Sequence, residues 1–154
     1  MACAKLKEFL EDHGVHYALT PHSPAVTASE VAEAAHISGT DFAKTVIVKI
    51  EGEMAMVVVP ANRKINPGEL RELLNTDSVV VATEDEFRNR FPDCELGAMP
   101  PFGNLYGLPV YLETTLANHE EIAFNAGTHR EVIRMRSKDF VHLVNPMIMD
   151  VAAA

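Results

Sequence analysis

The apolar positions of this chain follow two different periods, one typical of helices and one typical of strands. Near the start, the apolar residues of KLKEFL (5–10) fall on one face of a helix, which Gly14 ends. The runs AKTVIVKI (43–50) and MAMVVVPA (54–61) are instead dense in β-branched residues. The short segment EGE between these two runs predicts that they form a hairpin.

Helices and strands are mixed along the rest of the chain. Further helices are predicted after the capping residues Thr27, Asn66, Thr83 and Ser137, and the helix after Thr27 is expected to end near Gly39. Further strands are predicted at 15–20, 78–82, 108–112, 121–127 and 131–137, and the tail 147–154 is expected to be partly loose. The predicted fold class is α+β (mixed α/β), a mixed and mostly antiparallel sheet flanked by helices.

Composition supports a single globular domain. The chain has 154 residues, of which 47% are hydrophobic and 23% charged, so we expect one compact domain over residues 1–154. No apolar run approaches the roughly 20 residues of a membrane span, and the acidic amphipathic N-terminal segment is unlike a signal or transit peptide. Cys3 and Cys94 provide neither a disulfide framework nor a metal-ligand spacing, which favours a reduced, cytoplasmic location.

The net charge of −9 argues against a general nucleic-acid binder, and we expect no DNA or membrane partner. Basic residues are nevertheless concentrated in the segments 44–64 and 130–138. These residues either form a small basic face or are scattered, solvated charges, and the pattern alone leaves both alternatives open.

Common catalytic motifs are absent from the sequence. It contains no GxxxxGK[ST] phosphate loop, no GxGxxG turn after a strand, no HExxH pair and no GxSxG nucleophile elbow. Cys94 is either a nucleophile or a partly buried structural cysteine, and no base is evident near it. His13 and His16 have helical spacing, but Gly14 separates them, so no metal or other cofactor is predicted.

Lys44 is a stronger candidate because it begins an apolar strand. A lysine ammonium group at the start of a buried strand loses hydration, which costs free energy unless an anion binds it. The alternative is a charge on an edge strand that prevents aggregation, an interpretation that suits Lys49 well.

Two irregular segments complete the candidate chemistry. The loop LGAMPPFGNLYG (96–107) is longer, stiffer and more apolar than a connection requires, which suggests a functional role. The segment NAGTHR (125–130) has a composition typical of a tight hairpin turn. His129, beside this turn, is either a polar group of the site or a solvated residue.

Taken in order, four segments resemble one known family. AKTVIVK (43–49), VVVPANRKIN (57–66), GAMPPFG (97–103) and FNAGTHREVIRM (124–135) together are similar to the YbaK/prolyl-tRNA synthetase-associated family of INS-like aminoacyl-tRNA editing domains. The resemblance extends over nearly the whole chain. It implies a hydrolase that removes a wrong amino acid from the 3′ end of a mischarged tRNA, acting without a cofactor.

The resemblance also implies roles for particular residues. Lys44 is expected to orient the terminal nucleotide, with Thr45 supporting it. The backbone of the loop from Gly97 to Pro101 is expected to hold the substrate and a water molecule. The expected catalytic residues are Lys44, Gly97 and Pro101, and the expected substrate-binding residues are Thr45, Ala98, Met99, Pro100, Phe102, Asn125, Gly127 and His129.

The sequence leaves several functional questions open. The expected activity is that of a free-standing deacylase for tRNA carrying alanine, serine, threonine or cysteine. The alternative is a non-catalytic module that binds tRNA or a synthetase. The choice of tRNA is expected to come either from acceptor-stem contacts or from a partner aminoacyl-tRNA synthetase.

Overall fold

Eight strands form one mixed sheet at the centre of the computed structural model, which describes residues 4–22 and 28–153. Their order across the sheet is β1-β7-β6-β2-β3-β5-β8, and β4 pairs with β2 outside this path. The strands are β1 Tyr17–Pro21, β2 Phe42–Ile50, β3 Glu53–Pro60, β4 Val79–Val81, β5 Val110–Glu113, β6 Glu121–Asn125, β7 Glu131–Arg136 and β8 Met147–Met149.

Helices flank this sheet, and the predicted α+β fold class is confirmed. The α-helices are α1 Ala4–Asp12, α2 Ala28–Ala34, α3 Pro67–Leu74, α4 Glu84–Phe87, α5 Thr114–Asn118 and α6 Ser137–Val144. Short 3₁₀ helices lie at Arg88–Arg90, directly after α4, and at Gly103–Leu105, before β5. In the described part of the chain, none of the helices has the length and apolar character needed to span a membrane.

The predicted hairpin is the longest pairing in the sheet. β2 and β3 are antiparallel from Ala43 opposite Pro60 to Ile50 opposite Glu53. The two turn residues, Glu51 and Gly52, have φ values of 50° and 85°, the left-handed conformation that a tight hairpin turn requires.

The other side of β2 is paired only at its two ends. β6 runs parallel to it at Phe42 and Ala43, and β4 runs antiparallel to it at residues 48–50. Within the described residues, no strand pairs with residues 44–47 on this side. We call this interruption the sheet gap.

Different cores cover the two faces of the sheet. The aromatic face carries the buried rings of Phe102, Phe124 and Phe140, and the Phe102 centroid lies 5.4 and 5.2 Å from the other two. The valine face carries Val48, Val57 and Val59, which pack with Leu70 of α3. The sheet is therefore buried on both faces, which explains why β2 and β3 are almost continuously apolar.

Some local predictions of helix ends were wrong. α2 ends at Ala34, before Gly39, because the chain turns at His36 with φ 58°. Ser137 is the first residue of α6 and not its cap: its Oγ is buried and caps no backbone group. Thr27, the predicted cap of α2, lies outside the described residues.

The C-terminal tail is more ordered than predicted. Residues 147–149 form β8, which pairs in parallel with β5, and Val151 is 2% exposed. The Ala152 N–H donates to the buried Glu113 carboxylate at 2.7 Å, and the Ala153 N–H donates to the Lys64 carbonyl. The tail is held by segments that are distant in sequence, so its own composition could not reveal its order.

Candidate functional site

The sheet gap exposes backbone groups of β2. The carbonyl groups of Asp41 and Ile47 accept hydrogen bonds from Ala123 and Ala82 on the gap side of the strand. Because a strand repeats every two residues, the N–H and C=O groups of Thr45 point to this same side. Since β6 pairs with β2 only as far as Ala43, these two groups of Thr45 face the gap.

Lys44 and Thr45 present their side chains to opposite faces. Ala43 and Ile47 pack in the core of the aromatic face, so Thr45, between them, points to that face. Lys44 points to the valine face, as do Phe42 and Val48. The sheet therefore separates the side chains of these two predicted site residues.

Lys44 is a half-buried cation. Burial lowers the pKa of Lys44 from its ordinary value of 10.5, and the nearby Lys64 ammonium lowers that pKa further. No carboxylate among residues 4–22 and 28–153 forms an ion pair with Lys44. Two neighbouring ammonium groups at a gap in the sheet create a positive potential that suits an anionic ligand.

Lys49 lies on the same strand in a different environment. It forms an ion pair with Glu86, and the hydrogen bond from Lys49 is the main reason that the pKa of Glu86 falls to about 2. The interpretation of Lys49 as an edge-strand charge was wrong, because β3 and β4 flank β2 on both sides at this residue.

The loop 97–103 is fixed mainly by its second half. Gly97 is exposed and has φ +83°, whereas Ala98, Met99, Pro100, Pro101 and Phe102 are buried. Phe102 fills the centre of the aromatic core. At Gly103 an added Cβ would lie 2.6 Å from the Leu108 carbonyl oxygen, so only glycine fits. The rigidity of the loop therefore comes from core packing as well as from its prolines.

Hydrogen bonds join this loop to the turn after β6. The Gly127 N–H donates to the Ala98 carbonyl at 3.0 Å, and the Glu95 N–H donates to the Gly127 carbonyl at 2.8 Å. Gly127 has φ 94°, a conformation that favours glycine. The structure thus brings together two segments that were predicted to line one pocket.

His129 is also held against this loop. Its ring Nε2 lies 2.7 Å from the Leu96 carbonyl oxygen, which can only accept, so Nε2 carries a hydrogen. Its backbone N–H donates to the Glu95 carboxylate. The ring Cε1 lies 3.4 Å from the position of a Cβ on Gly97. The ring therefore contacts the exposed start of the loop and is not a freely solvated group.

Asn125 ends β6 at the edge of the gap. It is 6% exposed, and its Oδ1 has no hydrogen-bond partner in the described part of the chain. Ala123 packs with Phe42 on the valine face, so Asn125, two residues later, points to the same face as Lys44.

Other candidate residues lie away from this arrangement. Cys94 is partly buried, with its Sγ 3.3 Å from the Tyr106 hydroxyl oxygen and 3.6 Å from Asp93 Oδ1. The His13 ring bonds the carbonyl of Phe9 within α1. Among residues 4–22 and 28–153, no three His, Cys, Asp or Glu side chains are arranged to hold a metal ion.

Sequence reasoning missed two residues of this region. Lys64 was seen only as part of a basic segment, because nothing local shows that the chain after β3 returns to Lys44. Glu95 was not singled out, although its carboxylate accepts from the His129 N–H. An acidic residue before a glycine–proline loop is too common a pattern to reveal this contact.

Comparison with known proteins identifies related sequences. The family model of the aminoacyl-tRNA editing domain matches residues 22–143. The proline–tRNA ligase of Staphylococcus aureus (strain Newman) is 36% identical over 63 residues, 41% of this chain. That match covers 11% of the ligase, so the chain corresponds to about a tenth of the length of this relative.

Solved structures share the fold. A proposed trans-editing enzyme for prolyl tRNA synthetase has a TM-score of 0.84 and 23% identity, covering 99% of this chain and 97% of that one. The hypothetical protein APE2540 has a TM-score of 0.85 and 20% identity, covering 97% and 99%. At these identities the similarity shows the fold alone.

Proposed function

Because the chain belongs to the aminoacyl-tRNA editing domain family, we propose that it is a free-standing deacylase for mischarged tRNA carrying alanine, serine, threonine or cysteine. In the proposed reaction, water adds to the ester carbonyl and the ribose oxygen leaves with a proton. The products are the free amino acid and a tRNA whose terminal hydroxyl is restored. The whole of residues 1–154 acts as one editing domain in this proposal.

One observation carries the proposal: at a gap in the sheet lies a half-buried lysine for which residues 4–22 and 28–153 provide no carboxylate partner. A cation in this position loses hydration without gaining an ion pair, so a ligand anion would stabilise it. The anion offered by the family's substrate is a phosphate near the 3′ terminal nucleotide. Lys44 would bind this phosphate, and Lys64 would add to the attraction.

The backbone of the loop 97–101, which is joined to the turn after β6, supports the catalytic half of the proposal. The loop 97–101 is fixed by Phe102 on one side and by the Ala98–Gly127 hydrogen bond on the other. Backbone dipoles held in advance need no reorganisation when charge develops on the ester oxygen. Positioning of this kind lowers a barrier by up to ~7–11 kcal/mol in favourable cases.

No side-chain nucleophile is needed in this proposal. The Cys94 sulfur lies 3.6 Å from a carboxylate oxygen of Asp93 and 3.3 Å from the Tyr106 hydroxyl oxygen, away from the loop and turn described above. We propose water as the nucleophile, assisted by a hydroxyl of the substrate's own ribose. The alternative is a non-catalytic module of the same fold, in which Lys44 would bind tRNA without any hydrolysis.

A deacylation assay separates these two functions. The purified protein is incubated with tRNAs charged with alanine, serine, threonine or cysteine, beginning with a proline-accepting tRNA because the similar proteins are connected with prolyl-tRNA synthetase. We expect ester hydrolysis above the spontaneous rate for at least one amino acid, unchanged by EDTA. Tight binding of all four tRNAs without hydrolysis would instead support the non-catalytic module.

A further inference from the structure

The Asn125 side chain has an unsatisfied acceptor. Asn125 is 94% buried, and its side-chain Oδ1 accepts no hydrogen bond from the described part of the chain. A buried amide oxygen without a donor is unfavourable, and native proteins rarely keep one without a reason. At the edge of a candidate site, a donor brought by the ligand is the simplest reason.

The surroundings of Asn125 limit what that donor can be. Asn125 pairs with Val132 on β7, and the valine face around it carries Phe42 and Ala123. These side chains are apolar and offer no hydrogen-bonding group. Lys44 points to the same face one position beyond the last β2–β6 pair, where the substrate phosphate is proposed to bind.

We propose that Asn125 Oδ1 accepts a hydrogen bond from the α-ammonium group of the aminoacyl ester. This inference rests on the proposed function. The ester has two strong donors near its reacting carbon, the ammonium group and the neighbouring ribose hydroxyl. Because the ribose hydroxyl is proposed to assist the water molecule, the ammonium group is the donor that remains for Asn125 Oδ1. Asn125 thereby holds the amino acid by its amino group, independently of its side chain.

A competing role for Asn125 is to orient Lys44. In that case the amide oxygen would serve the lysine ammonium, and removing it would weaken phosphate binding for every ester equally. The two roles differ in one measurable respect: only recognition of the α-ammonium depends on whether the acyl group carries an amino group.

The test compares alanyl-tRNA with propionyl-tRNA, which has the same carbon chain without the amino group. Single-turnover rates of both esters, corrected for spontaneous hydrolysis, are measured for the wild type, Asn125→Ala and Asn125→Leu. We expect the wild-type preference for alanyl-tRNA to fall at least about tenfold in both variants, equivalent to ~1.4 kcal/mol. The ratio is taken within one protein sample, so partial unfolding of a variant does not affect it.

Ser137→Ala is the matched control, because Ser137 is also buried and its Oγ also lacks a partner in the described residues. It lies at the start of α6, away from the gap, and should leave the ratio unchanged. An equal loss of both rates in the Asn125 variants, with the ratio preserved, would overturn the inference and leave the proposed function intact. Wild-type inactivity on all four aminoacyl-tRNAs of the deacylation assay would overturn the proposed function and this inference together.

Discussion

Two lysines of β2 differ in what each gains from the folded protein. Lys49 has Glu86 as a partner, whereas Lys44, on the same strand, has Lys64 as its charged neighbour. A charge for which the described residues provide no counter-ion is more easily explained by a ligand than by stability. This contrast makes Lys44 the residue whose replacement is most informative.

The first prediction concerns stability. Lys44→Met keeps the apolar stem and removes the ammonium group. The pKa of Lys44 is lower in the folded chain, by burial first and Lys64 second, so the charged form costs free energy on folding. That cost is present in full below the folded-state pKa and disappears as the pH rises through the ordinary, unfolded-state pKa of 10.5.

Thermal unfolding monitored by circular dichroism checks this prediction. At pH 7 we expect Lys44→Met to unfold at the same temperature as the wild type or a higher one. The gain should shrink as the pH approaches ~10, where the unfolded lysine also loses its proton. A clearly lower unfolding temperature at pH 7 would mean that the ammonium group has a stabilising partner.

What the sequence could reveal about single residues depended on how local their contacts are. The cap at Asn66 and the capping box of Thr83 with Glu86 were predicted correctly, because each is complete within four residues. Lys44 was predicted to be unusual because its own strand is apolar. The nearby Lys64 was not recognised, since its proximity to Lys44 depends on the path of the chain after β3.

At the scale of elements, the loop 97–103 and the turn after β6 behave as one unit. Gly97 is its exposed end and has φ +83°, with the His129 ring against it. Any side chain at Gly97 would be strained by the backbone, and its Cβ would lie in van der Waals contact with that ring. Gly107, at the other end of the same connection, has φ +70° but no atom within 4 Å of an added Cβ.

This pair of glycines gives a matched prediction. Gly97→Ala and Gly107→Ala should each lower the free energy of unfolding by roughly 1–2 kcal/mol, the cost of a left-handed backbone for an L-residue. Only Gly97→Ala should also lower the deacylation rate per folded molecule, by about tenfold or more, the scale of a misplaced catalytic group. Chemical denaturation and single-turnover kinetics on both variants measure the two effects separately. Equal rates in the two variants would show that the position of Gly97 does not matter to catalysis.

Elements made by neighbouring segments were predictable, and elements made by distant ones were not. The β2–β3 hairpin and the β6–β7 pair were confirmed, because each needs only one turn. β8 was missed because it forms only beside β5, more than thirty residues earlier. The sheet gap has the same cause: it exists because β6 and β4 reach β2 from different parts of the chain.

For the whole molecule, the net charge of −9 limits how tRNA can bind. A broad basic surface is not expected on such a chain, so contact should be confined to a few phosphates near the acceptor end. Lys44 and Lys64 are the cations proposed to meet them. Binding should therefore depend only weakly on salt.

This weak dependence is the prediction at the largest scale. Each neutralised single-strand phosphate contributes roughly −0.7 to the slope of log K against log salt concentration, so two contacts give about −1.4. Titrations of tRNA binding between ~50 and 200 mM salt measure the slope. A slope of about −6 would require eight or more phosphate contacts and would reveal a broad basic interface on the protein.

The central claim is that this editing domain hydrolyses mischarged tRNA at the sheet gap with the help of Lys44. Single-turnover deacylation of a mischarged tRNA by Lys44→Met, beside Lys49→Met and the wild type, tests it most directly. Both variants lose one lysine from β2, but only Lys44 is proposed to contact substrate. We expect Lys44→Met to remain folded and to lose at least ~100-fold in rate, or ~2.7 kcal/mol, while Lys49→Met keeps the wild-type rate. Wild-type deacylation by folded Lys44→Met would contradict the claim.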